Sequence, residues 1–320
     1  MLEGGLARDG DHPRAERGGF RHAMVAYGSD HELARLVGPF MEFGAAQEEP
    51  VVCVASAASA AVLARAAGDA ESAIRFVEQA DWYRSPNHAL DDMCDLVDDR
   101  QRVRVIAEPP ARAGWWLEAQ EWQRLDSLSN AVAADLPITT VCLYDARQVG
   151  MATLQQALRT HPQVLTSNGP QRSEDYIDPA DFAAECDRHE LVAPASSLQH
   201  TIATPGELGT SRAEVREVAR RYGVAAHRAG DLAMAVSEIV SNALEHGGGV
   251  AKQRAWDEGH GLICEVFDPG PGFDDPFAGY REPPALNSRG RGLRMARQLC
   301  DLMRIRSTPA GTTVWLYLHY

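Results

Sequence analysis

Between residues 20 and 190, short β-branched runs alternate with alanine-rich stretches of helical character. The run EPVVCVAS at 49–56 is apolar through its centre, as a strand buried on both faces must be. An alanine-rich segment at 58–68 follows, and Gly68 supplies its stop. IRFVEQA (74–80), RVRVIAEPP (102–110) and TTVCLYDA (139–146) read as further strands, and 29–47, 89–101, 115–134 and 151–160 as helices. Strands separated by helices run parallel, because a crossover of helical length is needed to return the chain to the same edge. The first part of the chain is therefore expected to be α/β in three layers, a parallel sheet covered on both faces.

The segment 188–205, RHELVAPASSLQHTIATP, is richer in Pro and Ser and reads as a linker, with LQHTIA opening a second sheet. Beyond it the pattern predicts amphipathic helices at 208–222 and 229–247 and a hairpin over 249–257 and 260–268. A Pro- and Gly-rich loop at 269–289, a helix at 290–301 and strands at 302–308 and 312–319 follow. The divisions are 1–19, a polar lead-in expected to be disordered; 20–187, a first α/β domain; 188–205, a linker; and 206–320, a second domain of two layers.

A net charge of −14 opposes direct binding to nucleic acid, which relies on clustered Lys and Arg, and suits a basic protein partner. No run reaches the roughly 18 apolar residues of a membrane span, and MLEGGLARDGDHPRAERGG lacks an apolar signal core. A cytoplasmic chain without membrane contact is expected. The six cysteines are widely spread and no C-x-x-C pair occurs, so the spacing indicates neither a zinc site nor a disulfide framework, and buried thiols are expected. Lys252 is the only lysine. No G-K-[ST] element is present for a phosphate-binding lysine, and V-A-I-K, H-R-D and D-F-G of the bilobal kinases are absent as well. Positive charge for bound phosphates would have to come from Mg2+, helix N-termini and Arg.

Three motifs in the second domain meet those conditions. In AVSEIVSNALEHGGG, Leu232, Val236, Ile239, Val240, Ala243 and Leu244 mark a core stripe. Glu238, Asn242 and His246, four apart, form a polar stripe beside it. An Asn carbonyl is a suitable oxygen ligand for Mg2+, and Glu238 is placed to act as a base or to orient water. Asp268 ends a strand and Gly270 and Gly272 turn the chain out of it, so the carboxylate is available to an exocyclic amine and the backbone to a flat base. Ser288-Arg289-Gly290-Arg291-Gly292-Leu293 opens a helix, whose free amides form an anion site flanked by Arg289, Arg291 and Arg294. Ser288 and Gly290 are candidate hinges of a lid spanning 273–289.

In this order, between residues 238 and 292, the motifs resemble the N, G1 and G2 boxes of the GHKL ATPase fold, also called the Bergerat fold. Glu238, Asn242, Ala243 and His246 match the E-x-x-x-N-A-x-x-H pattern of anti-sigma-factor kinases, and Gly311-Thr312-Thr313 resembles the Gly-Thr element lining the adenine pocket there. The resemblance implies ATP and Mg2+ as cofactors, Asn242 as the metal ligand and Glu238 as the catalytic residue. It implies a sigma factor and an anti-anti-sigma (STAS) protein as partners, phosphorylation of Ser or Thr on the latter, and often a homodimer. A non-catalytic module that sequesters a sigma factor, and an unorthodox sensor histidine kinase, are the alternatives.

The first domain, through FRHAMVAYGSDHELARLVGPFMEFGAAQEEPVVCVAS, RVIAEPP, VCLYDA, THPQVLTSNG and DYIDP, resembles the MEDS sensory domain, whose core is RecA-like. His22, Tyr27, Tyr144, Asp145 and His161 are candidates there for lining a ligand pocket, with a structural role the favoured reading for each.

Overall fold

RHAMVAY has no continuous β-branched run, yet it forms an interior strand. In the computed structural model, which describes residues 19–97, 101–110, 115–189, 191–195, 197, 199–280 and 291–320, the chain divides into two units at Ala183 and Ala184. The first unit starts with β1 (Arg21–Tyr27), α1 (Asp30–Ala46), β2 (Val51–Ala55), α2 (Ala57–Ala67), β3 (Ile74–Glu78), α3 (Gln79–Trp82) and α4 (Pro86–Cys94). It continues with β4 (Val103–Ala107), α5 (Trp116–Val132), β5 (Ile138–Asp145), α6 (Met151–Thr160), β6 (Gln163–Thr166), β7 (Gly169–Arg172) and α7 (Pro179–Cys186), the last helix crossing into the second unit.

The seven strands lie in the order β3-β2-β4-β5-β1-β6-β7, parallel except for β7, which closes one edge as an antiparallel hairpin with β6. Alternate residues face opposite layers. Val25 and Tyr27 of β1 and Val141 and Leu143 of β5 pack in one core with Leu33, Val37, Phe40 and Met41 of α1 and Val62 and Leu63 of α2. His22, Met24, Cys142 and Tyr144 have the opposite parity and face the other side. This is the three-layer arrangement expected from the β/α alternation.

Local chemistry sets the ends. Ser29, Ser56 and Ser85 each accept a hydrogen bond from the backbone N–H three residues on, capping α1, α2 and α4. The Ser85 cap and Pro86 at the first turn start α4 three residues ahead of the expected position 89.

The second unit contains β8 (Gln199–Ile202), α8 (Leu208–Arg221), α9 (Ala226–His246), β9 (Ala251–Asp257), β10 (Leu262–Asp268), α10 (Arg291–Leu299), β11 (Leu302–Thr308) and β12 (Gly311–Leu318). The antiparallel order is β11-β12-β10-β9-β8. LQHTIA does open this sheet, as its edge strand. Leu262, Cys264 and Val266 of β10 and Val314, Leu316 and Leu318 of β12 face the helices. There they share one core with Val215 of α8, with Leu232, Val236, Ile239, Val240 and Ala243 of α9, and with Ala296 of α10. The result is two layers, helices on one face of an antiparallel sheet. Among the described residues, no helix is long and apolar enough to cross a membrane.

Candidate functional site

The alternation that buries Leu262, Cys264 and Val266 carries Asp268 to the helix side of β10, at the last position of the row. Its register partner on β12 is Thr312, which continues the inward row of Val314, Leu316 and Leu318. The Asp268 carboxylate thus stands at the open end of the core. Its Oδ1 accepts from Gly270 N–H at 2.9 Å, and no other hydrogen bond or ion pair engages it among the described residues. Burial raises the Asp268 pKa above the ordinary carboxylate value, and the Gly270 N–H opposes that shift.

Close packing of backbone against Asp268 requires glycine. A Cβ at Gly247 would overlap the carboxyl, and one at Gly270 would stand 2.7 Å from Gly247 Cα. Gly272 adopts φ +70° beside Ser307 and Thr308, a conformation that favours glycine. Gly247, which directly follows the His246 stripe, and Ser307 escape the motif reading. Ser307 Oγ accepts from Phe273 N–H at 2.7 Å and lies 3.4 Å from Thr312 Oγ1. The glycine run after His246 is the only local sign of the first. Ser307 is set opposite Thr312 by the register of the β11–β12 hairpin.

Glu238 and Asn242 lie half-buried on successive turns of α9, and neither has a hydrogen-bond or ion-pair partner among the described residues. The start of α10 passes over them. A Cβ at Gly292 would stand 3.0 Å from Glu238 Oε2 and 3.5 Å from Asn242 Nδ2. Helix α9 therefore brings an acid and an amide under the N-terminus of α10, while β10 supplies Asp268 nearby through its contact with Gly247. Partnerless oxygens beside a positive helix end suit a phosphate-bound Mg2+.

The remaining candidates are distributed unevenly. His246 is exposed at the end of α9, 3.9 Å from Glu245. Arg291 is exposed at the start of α10. Leu293 packs against the core rather than beside the polar pair. Arg294 donates to Tyr280 O at 3.2 Å, and Arg297 donates to Met303 O at 2.7 Å with its guanidinium over the Tyr280 ring. Ser288, Arg289 and Gly290, with the lid from 281 onward, lie outside the described residues. Residues ahead of that point are anchored by the Phe273 bond to Ser307 and by Arg297, which also donates to Ala278 O at 3.2 Å.

In the first unit His22, Tyr144 and His161 come together, whereas Tyr27 and Asp145 do not join them. Tyr27 OH meets Ser59 Oγ at 3.3 Å on the opposite sheet face. Asp145 is held by Arg147 and Gln148, and the Arg147 bonds bring its pKa down to about 2.

Residues 21–162 match the family model described as MEDS, the methanogen/methylotroph DcmR sensory domain, and residues 201–318 match that of the histidine kinase-like ATPase domain. The chain joins a MEDS domain to a histidine kinase-like ATPase domain. The RsbU and RsbW domains of Rv1364c from Mycobacterium tuberculosis are similar at 29% identity, over 40% of this chain and 33% of that one, with a TM-score of 0.30. This chain thus spans about a third of that relative's length (33%). The histidine kinase domain of the blue-light-activated kinase EL346 from Erythrobacter litoralis is 21% identical over 40% of this chain and 69% of that one, with a TM-score of 0.27. The ATPase-domain match contains Glu238, Asn242, Asp268, Gly292 and Thr312. At this level the second unit is a histidine kinase-like ATPase domain.

Proposed function

We propose that the ATPase domain binds Mg·ATP and transfers its γ-phosphoryl group to a Ser or Thr hydroxyl of an anti-anti-sigma partner. We further propose that the same domain sequesters a sigma factor in the cytoplasm and that the MEDS domain tunes the balance. The observation that supports the reading is the pairing of Glu238 and Asn242, both without protein partners among the described residues, beneath Gly292 at the start of α10.

In this reading Asp268 accepts a hydrogen bond from the adenine amino group through its free oxygen. Gly247 and Gly270 keep side chains out of that space. The Asn242 amide oxygen is the protein ligand that would hold Mg2+, which neutralises charge on the phosphates when bound. The α10 amides receive phosphate oxygens. Glu238 takes the proton of the incoming hydroxyl, whose oxygen forms the new P–O bond while the bond to the leaving ADP oxygen breaks. Positioning and charge neutralisation supply most of the rate.

The test is incubation of the full chain with γ-labelled ATP, Mg2+ and candidate STAS proteins. Acid-stable label on Ser or Thr of the partner is expected. Acid-labile label would point to histidine phosphorylation, and tight ATP binding with no transfer would leave a sequestering module; either result overturns the kinase reading.

A further inference from the structure

The MEDS domain holds a polar cluster that the ATPase chemistry does not use. His22 on β1 and Cys142 on β5 share one face of the sheet, because Met24 is in register with Cys142 and His22 with Thr140. Asp126 comes from α5, and His161 follows α6. One donor atom from each lies within 4.8 Å of every other. His22, Cys142 and His161 are 4%, 3% and 0% exposed, and Asp126 is half-buried.

The hydrogen bonds around this cluster fix which atoms point inward. Asn130 Nδ2 lies against three carbonyls, those of Asp126, Ser127 and Thr160, so its Oδ1 is the atom that faces His22 Nδ1 at 3.1 Å. His22 Nδ1 therefore carries the proton, and the Nε2 lone pair faces Cys142 Sγ at 3.3 Å. His161 Nδ1 lies 2.8 Å from Ala157 O and is likewise the donor. Its Nε2 is wholly buried and has no hydrogen-bond partner. Tyr144 OH donates to Asp126 Oδ2 at 3.2 Å, leaving the other oxygen to the cluster. Two imidazoles orientated by carbonyl acceptors on Nδ1, with His22 Nε2 turned to the Cys142 sulfur and His161 Nε2 unpartnered among the described residues, have the outer hydrogen bonding of metal-ligating histidines.

We propose that His22 Nε2, His161 Nε2, Cys142 Sγ and an Asp126 carboxylate oxygen form a buried site for one divalent transition metal ion of the zinc type. Tetrahedral bonds of about 2.0–2.3 Å separate donors by roughly 3.3–3.8 Å, so a small contraction of the cluster completes the shell. The donor set selects the metal class: thiolate and imidazole favour zinc-like ions over Mg2+ or Ca2+. The charge also balances, since a thiolate and a carboxylate offset a divalent cation. Four protein donors close the shell, which suits a structural or regulatory ion rather than a catalytic one.

The experiment uses the full chain, stripped with chelator and titrated with Co2+, then Zn2+. One Co2+ per chain is expected, with a thiolate-to-cobalt charge-transfer band and the intense visible bands of tetrahedral cobalt, both abolished by Zn2+. Cys142→Ser should lose the charge-transfer band and His161→Gln the tight binding, with the thermal transition of the apo chain retained. X-ray absorption of the zinc-loaded wild type reads the same shell without any substitution and decides the matter if the variants fold poorly; two imidazoles, one sulfur and one oxygen are expected. Only trace uptake of both ions, a first shell without sulfur, or a band unchanged in Cys142→Ser would overturn the site.

Discussion

One turn of α9 separates Glu238 from Asn242, and the proposed chemistry gives them different duties. Asn242→Ala removes an oxygen ligand and should weaken Mg·ATP binding at least tenfold, about 1.4 kcal/mol, by calorimetry. Glu238→Ala should keep most of that affinity while slowing phosphoryl transfer by about 100-fold, the ordinary contribution of a positioned base. Transfer at the wild-type rate in Glu238→Ala would remove it from the mechanism. Asp268 adds a prediction about base and pH. A carboxylate accepts from the adenine amino group, where guanine presents a carbonyl, so Asp268→Asn should narrow the preference for ATP over GTP. Burial raises the Asp268 pKa. Its ionised form is therefore lost at a higher pH than that of an ordinary carboxylate. ATP affinity should fall as pH drops through that raised value, and Asp268→Asn should flatten the profile in a titration of Kd against pH.

At the scale of elements, α9 works through both of its stripes. Leu232 and Val236 are fully buried against the sheet and hold the helix in place, whereas Glu238 and Asn242 meet α10. Leu232→Ala should cost about 2–5 kcal/mol of stability, read as a lowered urea midpoint. The approach of α10 depends on the missing side chain at Gly292. Gly292→Val puts branched carbon where only 3.0 Å separates a Cβ from the Glu238 carboxylate. The helix start must lift or Glu238 must turn away, and Mg·ATP affinity should fall about tenfold with far-ultraviolet circular dichroism unchanged. Wild-type affinity in this variant would show that the α10 start does not approach bound nucleotide.

For the whole molecule, the core of the ATPase domain is made, among the described residues, of residues between Leu208 and Leu318 and the strand residue Ile202. Residues 184–320 expressed alone should therefore fold and bind Mg·ATP, raising the thermal midpoint with ligand concentration. Absence of a calorimetric signal at millimolar nucleotide would contradict this. The net charge of −14 gives the proposed sigma-factor complex an electrostatic component, so association should slow as salt is raised. Pull-down from the host with and without ATP is the check. Promoter DNA recovered without any sigma factor would reverse the assignment of partner.

Local periodicity was enough to specify most elements and the separate motifs. The strand at 302–308 and the helix at 151–160 have the expected ends, and the stripe of Leu232, Val236, Ile239, Val240 and Ala243 is buried as its spacing requires. These features repeat within one or two turns, so each is written in a dozen neighbouring residues. β1 was not legible in this way, because RHAMVAY draws its place from pairing with β5 and β6 on either side. The same holds for His22 beside Cys142, 120 residues away. Tertiary assembly chose those neighbours by burying apolar faces across a whole sheet at once. A contact selected by that global requirement leaves no local spacing, which is why donors from β1, α5, β5 and the residue after α6 can converge where no C-x-x-C exists.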